Sequence, residues 1–558
     1  MGSPIAESWW ILALSFAAKC GVSQSSLSLL ASLLLLFHVW LAADLLYWSS
    51  PGGRAWGRYW WSKGGRHAVI PGPRGLPFLG SMGLMSTLAH RRLASAAEVF
   101  DARRLMAFSL GETRAVVTGD PDVAKEILSS AAFADRPLKE SAYGLMFHQA
   151  IGFAPYGVYW RTLRRIAATH LFCPKQVALA APKRAHIAAQ MVGSLASAVE
   201  GEAVRVRDVL KQASLNNIMW SVFGREYDIT TSPGIGSHDH QESRELRQLV
   251  EEGYDLLGKV NFSDHLPFLG VLDLQGIRHR CSKLVPQVNR FVGRIILEHR
   301  ARPAAAVAGP TSGIPDFVDV LLTLQGGTDG LSDSEMVAVL WEMIFRGTDT
   351  VAVLVEWVLA RLVLHGDVQQ KVHAELDRVV GRHRPVAESD PASLPYLGAV
   401  IKEVLRLHPP GPLLSWARLA TSDTVVDGRV VPAGTTAMVN LWAITHDPRV
   451  WPEPTRFSPD RFLGGTCVDF STLFGSDLRL APFGSGRRSC PGKALAVATV
   501  GFWVASLLHE FEWLPQTPGE GRVDLSEVLR LSCEMASPLT VRLRRRRGHP
   551  SPSLSNCI

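Results

Sequence analysis

The sequence predicts a mainly α-helical protein with small β-sheets, preceded by a single N-terminal transmembrane helix. Three observations support this fold class. The 558-residue chain is 47% hydrophobic, which is enough for a large core. Between residues 80 and 550 the apolar positions follow mostly helical periodicity, with a few short strand-like runs. An almost unbroken apolar stretch, residues 27–43, stands apart near the N-terminus.

This apolar stretch predicts a membrane anchor. Extended through Trp48, it reaches the length of about 20 residues that a helix needs to span a bilayer. Basic residues follow it at positions 54, 58, 63, 66 and 74, whereas only Lys19 precedes it, so the positive-inside rule places the rest of the chain in the cytosol. A signal peptide cleaved near Ala42-Ala43 is the alternative, and the late, weakly basic start favours an uncleaved anchor.

Four segments follow from this organisation. Residues 1–50 form the anchor, 51–80 a basic, Pro/Gly-rich hinge, 81–548 one large domain and 549–558 a C-terminal tail. Prolines in residues 71–77 fix φ and stiffen the hinge. Residues 425–431 predict a hairpin, because two β-branched runs flank an Asp-Gly turn. Residues 230–243 and 302–315, rich in Gly, Pro, Ala and Ser, predict exposed loops.

The composition excludes several classes of function. A net charge of +7 is modest for this length, and no basic stripe interleaved with aromatic residues is present, so a nucleic-acid partner is not expected. The seven cysteines are odd in number, scattered and without CxxC spacing. That pattern argues against a disulfide scaffold or a zinc site and fits a reducing compartment. The arginine run at 544–547 is assigned no role.

The segment from residue 483 to 492 is the most informative part of the sequence. It places Cys490 in a glycine-punctuated loop, with two arginines before it and an apolar segment, residues 494–508, after it. A thiolate ligand needs backbone N–H groups near its sulfur and a helix N-terminus that stabilises negative charge. A buried free cysteine is the alternative for any single cysteine. The spacing Phe-x-x-Gly-x-Arg-x-Cys-x-Gly resembles the haem-binding signature of the cytochrome P450 family.

This resemblance implies the cytochrome P450 fold, with haem b (iron protoporphyrin IX) as cofactor and Cys490 as its axial thiolate ligand. The family's W-x-x-x-R helix is matched by Trp160 and Arg164, whose side chains would reach a haem propionate. Further cofactor contacts implied by alignment with the family's motifs are Phe483 beside the sulfur, and Arg418 and Arg488 at the propionates.

A charged motif at residues 403–406 strengthens the resemblance. Glu403 and Arg406 stand three apart on a predicted helix that stops at the prolines 409–410, so both lie on one face. Many exposed helices carry such pairs. Together with Arg461, these two residues resemble the family's Glu-Arg-Arg triad. That triad is structural, and its implied role is to hold the segment beneath the haem.

A second motif lies inside a long apolar segment, residues 336–364. On their own, residues 347–350 (Gly-Thr-Asp-Thr) would predict a turn or a helix N-cap. Within a helix they resemble the family's oxygen-activation motif, where a glycine loosens the hydrogen-bond ladder. The resemblance implies that Asp349 and Thr350 relay protons during dioxygen activation, a general-acid role.

Arg346 departs from the usual family pattern, which has a small residue one turn before the threonine. Because Arg346 and Thr350 are four residues apart, they can share one helix face. An intrahelical pair of Arg346 with Glu342 or Asp349 is the structural alternative. The second interpretation is a substrate contact, in which Arg346 holds a carboxylate or another polar head group.

The resemblance covers nearly the whole chain and implies a haem-thiolate monooxygenase in the endoplasmic reticulum membrane, with a cytosolic catalytic domain. Its implied partners are NADPH-cytochrome P450 reductase, O2, a small hydrophobic substrate and the lipid bilayer. Motifs at 261–267, 345–350 and 412–418 are similar to those of the plant KLUH/plastochron-type subfamily, which implies a role in organ growth and a fatty acid or related substrate. A haem-thiolate isomerase or dehydratase without reductase, or a non-enzymatic haem sensor, remains the alternative.

Overall fold

The computed structural model describes residues 24–62, 69–197, 203–227, 238–302, 315–414, 417–463, 473–516 and 523–546. The predicted C-terminal tail lies outside these residues, as do 230–237 and 303–314 of the two predicted loops. The prediction of a loop up to residue 243 is wrong at its end, because a helix begins at His238. The charged run that follows residue 237 has good helix formers, whereas the Gly/Ser-rich part precedes it.

Helices make up most of the described structure, as the sequence predicts. The α-helices are α1 (Gln24–Trp48), α2 (Arg54–Ser62), α3 (Ala89–Val99), α4 (Pro121–Ser129), α5 (Glu140–Gly144), α6 (Val158–His170), α7 (Pro174–Leu179), α8 (Ala181–Ala196), α9 (Val206–Phe223), α10 (His238–Gly258), α11 (Ile277–Ala301), α12 (Phe317–Leu324), α13 (Asp333–Leu364), α14 (Gly366–Val379), α15 (Pro395–Leu407), α16 (Leu441–Thr445) and α17 (Lys493–Glu510).

Short strands form four small sheets at the edges of the helical body. The strands are β1 (Met106–Leu110), β2 (Thr113–Thr118), β3 (Val204–Arg205), β4 (Arg418–Leu419), β5 (Thr424–Val426), β6 (Arg429–Val431), β7 (Thr436–Val439), β8 (Phe511–Pro515), β9 (Glu527–Leu529), β10 (Cys533–Met535) and β11 (Thr540–Arg545). The sheet orders are β1-β2-β7-β4, β3-β11-β8, β9-β10 and β5-β6. The β5-β6 pair confirms the predicted hairpin, with Asp427 and Gly428 at positive φ in its turn.

Helix α13 lies at the centre of the helical domain. It begins with a capping box, in which the Ser332 hydroxyl accepts from the Glu335 amide and the Glu335 carboxylate accepts from the Ser332 amide. Most of its side chains are buried, including Trp341 and Trp357. It packs against α9, α11, α15 and α17. A helix that is apolar on nearly all faces is expected at the centre of a large domain.

Helix α1 is the one described helix that is long and apolar enough to cross a membrane, over Ser28–Trp48. Its C-terminal end is tied to the body by charges. Arg54 of α2 donates to the buried carboxylate of Asp44 and, at 2.6 Å, to Glu112 in the β1–β2 turn. Arg58 donates to the same two carboxylates. Helix α1 therefore meets α2 and the β-sheet through an ion-pair cluster, and the roles of residues 1–50 as an anchor and 51–80 as a hinge stay predictions.

Replacing Asp44 with alanine is expected to destabilise this joint. The Arg54 side chain is only 6% exposed. In this variant it would keep its contact with Glu112 but lose the contact with the buried Asp44 carboxylate. We expect the free energy of unfolding to fall by about 1.5–3 kcal/mol, the range for a hydrogen bond to a charged group. Thermal unfolding of the detergent-solubilised full chain measures this. Glu251→Ala, which removes an exposed carboxylate on α10, is the control, and an equal loss in both variants would contradict the prediction.

Candidate functional site

One large cavity opens beside α13, between α6, α17 and the loop that precedes α17. It encloses about 2050 Å³ of empty space counted to its opening. Part of that space is open to solvent, and the lining combines apolar side chains with a few charged ones, as is usual for ligand pockets. Its wall includes every residue that the sequence assigned to catalysis, cofactor binding or substrate contact, namely Trp160, Arg164, Arg346, Asp349, Thr350, Arg418, Phe483, Arg488 and Cys490.

The loop before α17 presents Cys490 to this cavity. The Cys490 amide donates to the Phe483 carbonyl at 2.9 Å, which folds the loop back on itself. Gly484 and Gly486 adopt φ of 66° and 70°, in the left-handed region that favours glycine. A Cβ at Gly486 would lie 2.0 Å from the carbonyl oxygen of Leu128, so the loop is seated against α4 where a side chain has no room. The glycine spacing of the motif thus has a steric cause.

Arginine side chains crowd the wall next to this loop. The Arg488 guanidinium donates to the Ala154 carbonyl at 2.7 Å and lies 4.3 Å from the ring centroid of Trp160. Arg164, one turn after Trp160 on α6, donates to the Ser489 carbonyl at 2.9 Å. The hydrogen bonds of these two arginines therefore stabilise the cysteine loop, and both side chains also line the cavity.

Burial and mutual repulsion disfavour the charges of this cluster. Burial, reinforced by neighbouring guanidinium groups, lowers the pKa of Arg418 to about 9. Burial also lowers the pKa of Arg488 to about 10, although Asp135 at 3.6 Å opposes the shift. The buried Arg136, repelled by Arg418 and Arg488, has its pKa lowered well below the usual value. Such a cluster favours a ligand that carries more than one anionic group.

Two opposing effects act on the pKa of the Cys490 thiol. Burial raises its pKa, whereas Arg346, the Gly492 amide and Arg164 lower it. Soft thiolates are ligands of transition metals such as iron. The buried Cys533 lies outside the cavity wall. Burial and the neighbouring Glu527 raise the pKa of Cys533, which disfavours its thiolate form. Among the described cysteines, which are all free, Cys490 has the setting that suits a metal in the cavity.

Helix α13 contributes Asp349 and Thr350 to the wall of the same cavity. Thr350 is exposed toward the cavity that it lines. Burial raises the pKa of Asp349, whereas Lys211 of α9, at 3.6 Å, and the Ser532 hydroxyl oppose the shift. A carboxyl group whose protonated form is favoured by burial can exchange a proton with an adjacent hydroxyl.

The expected loosening of α13 at Gly347 does not break the helix, which is continuous from Asp333 to Leu364. Two backbone carbonyls in this stretch nevertheless accept side-chain hydrogen bonds. The Tyr254 hydroxyl donates to the Phe345 carbonyl, and the Ser214 hydroxyl donates to the Gly347 carbonyl at 3.4 Å. The neighbouring helices α10 and α9 therefore satisfy carbonyl groups of α13 beside the cavity.

Arg346 takes part in the intrahelical pair and lines the cavity as well. Its Nη1 lies 3.6 Å from Oε1 of Glu342, one turn earlier on α13, and its side chain is 36% exposed. The Glu342 carboxylate also accepts from the Gly152 amide at 2.8 and 3.1 Å. Of the two partners that the sequence offered, Arg346 contacts Glu342, while Asp349 faces Lys211.

Glu403, Arg406 and Arg461 meet behind the cavity in a buried cluster. Arg406 donates to both carboxylate oxygens of Glu403 at 2.8 Å, and both side chains are fully buried. Arg461 donates to the same carboxylate at 3.2 Å. Arg406 also donates to the carbonyls of Thr445 and Pro454 at 2.8 and 2.7 Å, which ties α15 to the segment that leads toward the cysteine loop.

Comparison with known proteins decides the family. The family model described as Cytochrome P450 matches residues 70–532. The chain is a cytochrome P450. It is 61% identical to cytochrome P450 78A9 of Arabidopsis thaliana over 96% of this chain and 98% of that protein. It is 60% identical to cytochrome P450 78A3 of Glycine max over 98% of this chain and 100% of that protein. The chain is 35% identical to the flavonoid 3'-monooxygenase of Arabidopsis thaliana over 87% of this chain and 92% of that protein.

These matches confirm the resemblance to the 78A group, the mainly α P450 fold and the general haem-thiolate monooxygenase class of this P450. The site fits that cofactor on its own chemistry. A cysteine sulfur can serve as the metal ligand in the cavity wall, and a cluster of buried arginines suits two propionates. The N-terminal helix is consistent with membrane anchoring.

Sequence reasoning missed several residues of the site. Arg136 is 9% exposed, lines the cavity and donates to the Ala417 carbonyl at 3.0 Å. An Asp-Arg pair, Asp135 and Arg136, directly after the apolar run at 131–134 was the available signal. Lys211 and Ser532 were missed as neighbours of Asp349, because they come from α9 and the β9–β10 hairpin. No local pattern marks residues that only tertiary packing brings together.

Proposed function

We propose that this P450 is a membrane-anchored monooxygenase that hydroxylates a small hydrophobic substrate, such as a fatty acid or a related growth-signal precursor, with O2 and NADPH-derived electrons. The observation that carries the proposal is that Cys490, Asp349 and Thr350 all line one cavity. Residues 81–548 form the haem-binding catalytic domain in this proposal. The haem, when bound, supplies oxygen activation and C–H oxidation.

The chain's own groups hold and orient that cofactor. Cys490 would provide the thiolate ligand, and Phe483, whose carbonyl closes the loop, would contact the cofactor beside it. Arg164, Arg418 and Arg488, with Trp160, form the propionate side of the site. Arg136 joins them, because its pKa is lowered by burial and by these same arginines, a strain that bound carboxylates relieve.

Thr350 and Asp349 deliver protons in this mechanism. The hydroxyl of Thr350 faces the cavity, and Asp349 precedes it on the same turn of α13. Lys211 is 41% exposed and contacts both Asp349 and Glu534, so it links the buried carboxyl group to solvent. A proton taken up at this surface can pass to Asp349 and on to Thr350, directly or through water.

The finer parts of the proposal concern location and partners. We place the protein in the endoplasmic reticulum membrane with a cytosolic domain, because the basic residues follow α1. NADPH-cytochrome P450 reductase is the proposed electron donor, since no flavin or nicotinamide motif occurs in the sequence. The similarity to cytochromes P450 78A of plants supports a role in plant organ growth, as in the KLUH/plastochron-type subfamily.

The Thr350→Val variant tests the monooxygenase proposal. Valine keeps the shape and removes the hydroxyl, so we expect product per NADPH consumed to fall by at least about 10-fold, the lower side of general acid–base effects. Full-length protein in microsomes with the reductase and a fatty-acid panel provides the assay. Thr348→Val is the matched control, because Thr348 is buried and its hydroxyl donates to the Ile344 carbonyl at 2.6 Å.

The same assay separates the alternatives. An isomerase or dehydratase would turn over without reductase or O2, and a haem sensor would show no turnover. Dependence of product on both NADPH and O2, with the loss confined to Thr350→Val, supports the monooxygenase. Equal product coupling in Thr350→Val and the parent protein would count against the assigned proton route.

A further inference from the structure

Three side chains with metal-binding atoms meet outside the large cavity, beside the β9–β10 hairpin. They are His90 near the start of α3, Glu527 of β9 and Cys533 of β10, and their ligand atoms lie within 4.8 Å of one another. His90 is fully buried, and the Glu527 side chain and Cys533 are each 3% exposed. None of these three residues lines the cavity, so the cluster is separate from the haem site.

Strand pairing brings Glu527 and Cys533 to one face of the hairpin. Glu527 stands opposite Met535, and Cys533 comes two residues before Met535 on β10. Side chains alternate between the two faces of a strand, so residues two apart share a face and the diagonal pair is within reach. Because His90 is 437 residues away from Glu527 in the sequence, no local spacing marks the group.

Hydrogen bonds fix the backbones that carry two of these side chains. The Cys533 amide donates to the Pro410 carbonyl at 2.9 Å, and the Cys533 carbonyl accepts from the Trp357 indole at 3.1 Å. The His90 carbonyl accepts from the Asn440 side chain at 2.7 Å. Side chains on a backbone that is already fixed lose less conformational entropy when they bind an ion.

The protein leaves one nitrogen of the His90 ring without a hydrogen bond. Nε2 lies 3.0 Å from Oε1 of Glu527. Nδ1 is buried and has no hydrogen-bond partner within the part of the chain that the structure describes. Buried polar atoms without a partner are rare in folded proteins, and a bound ion is one explanation for them.

The donor atoms of the cluster favour Zn²⁺. They are an imidazole nitrogen, a cysteine sulfur and a carboxylate oxygen, which are the ligand types of zinc, whereas Mg²⁺ and Ca²⁺ take oxygen ligands. Ligand atoms of a tetrahedral zinc ion stand about 3.3–3.7 Å apart at the usual bond lengths, so shifts of about 1 Å close the cluster around an ion. The fourth position is then open to water.

The charges of the cluster also match a divalent ion. Binding displaces the thiol proton of Cys533 to solvent, and the thiolate and the Glu527 carboxylate together balance the two charges of Zn²⁺. Arg91 donates to Glu527, but its side chain is 48% exposed, so it can turn to solvent when the ion takes its place. The buried group then carries no net charge, which limits the cost of burying it.

A second group of potential ligands, His299 with Asp316 and Asp319, lacks these properties. Arg302 contacts both aspartates, and Asp316 also accepts from the Asp319 amide as the N-cap of α12. This group has no sulfur donor, and protein groups already engage its carboxylate oxygens. It therefore provides a control for the first cluster.

We propose that His90, Glu527 and Cys533 bind a zinc ion that holds the β9–β10 hairpin against α3. The turn of this hairpin contributes Leu531 and Ser532 to the cavity wall, so the ion stabilises that wall from outside the cavity. An ion that binds the folded chain and not the unfolded chain raises the midpoint of thermal unfolding.

The zinc content of the full-length holoenzyme tests the proposal. Detergent-solubilised protein is equilibrated with zinc chloride and gel-filtered, zinc is measured against haem iron by mass spectrometry, and competition with a chelating dye gives the dissociation constant. We expect about one zinc per haem iron in the parent protein and an affinity at least about 10-fold lower in Cys533→Ser, His90→Gln and Glu527→Gln.

A fourth variant is expected to change the affinity in the opposite direction. Arg91→Gln removes an exposed cation that competes for Glu527, so zinc should bind about threefold more tightly or better. His299→Gln is the matched control, because His299 forms a buried pair with Asp316 at 2.8 Å, and we expect it to leave the zinc content unchanged. The thiolate-type band of the reduced carbon monoxide complex confirms that each variant is folded and loaded with haem.

Three outcomes overturn the proposal. They are a parent protein without stoichiometric zinc, equal zinc affinity in the parent protein and the three ligand variants, or an equal loss in His299→Gln. Displacement of the zinc by an equal concentration of Mg²⁺ or Ca²⁺ would contradict the assigned donor atoms. If Cys533→Ser fails to bind haem, His90→Gln and the exposed Arg91→Gln still decide. A zinc-dependent rise in the unfolding midpoint that Cys533→Ser lacks and His299→Gln keeps supports the role in holding the hairpin.

Discussion

Replacing Cys490 with serine is expected to abolish the thiolate-type absorption band of the reduced carbon monoxide complex and to reduce product formation by at least about 100-fold. The physical reason is that the thiolate pushes electron density onto the iron and favours O–O cleavage, which a serine hydroxyl does not do. A 100-fold loss corresponds to about 2.7 kcal/mol in the activation barrier. Serine fits the loop sterically, and the Cys490 amide still donates to the Phe483 carbonyl, so the fold is expected to persist.

The matched control is Cys173→Ser. Cys173 is half-buried, precedes α7 and lies outside the cavity wall. Serine is a favourable residue at a helix N-cap, so this variant is expected to keep the band and the activity. A band that survives Cys490→Ser, or that disappears in Cys173→Ser, would show that the axial ligand is assigned to the wrong residue.

Replacing Glu403 with glutamine is expected to be the most destabilising conservative change in the described structure. It removes the charge that faces Arg406, a guanidinium with no exposed surface, and weakens the contact with Arg461. Leaving one member of a buried ion pair uncompensated costs about 3–5 kcal/mol. Since proteins are stable by about 5–15 kcal/mol, a large part of the folding free energy is at stake. Haem release during thermal unfolding of the full chain measures the loss.

Glu453→Gln is the control for this prediction. Glu453 and Arg456 form the same kind of pair, three residues apart at 3.0 Å, but their side chains are 68% and 66% exposed. Exposed pairs contribute about 0–1 kcal/mol, so only a small shift is expected. Similar destabilisation in the two variants would refute a structural role based on burial. Unchanged stability of Glu403→Gln would have the same meaning.

The sequence determined the membrane helix, the mainly α fold and the cysteine loop with its glycines. These features depend on local patterns. The length of the apolar run determines the length of α1, and the positive φ of Gly484 and Gly486 favours glycine at these two positions. The motifs at 403–406 and 347–350 could be read for the same reason, since residues three or four apart on a helix share a face. Their assigned roles stay predictions, although the structure brings the cavity residues together.

The tertiary structure alone decided which charges act on one another. Arg136, Lys211 and Ser532 come from separate elements, and their meeting in or near the cavity depends on how α9, α13 and the β9–β10 hairpin pack. The sequence left Arg346 between an intrahelical pair and a substrate contact. The structure shows the pair with Glu342 and places Arg346 in the cavity wall, and the substrate contact stays a prediction. Electrostatic interactions depend on distance and burial in three dimensions. The order of residues along the chain therefore predicted the haem-binding motif, whereas packing decided the charge balance of the cavity.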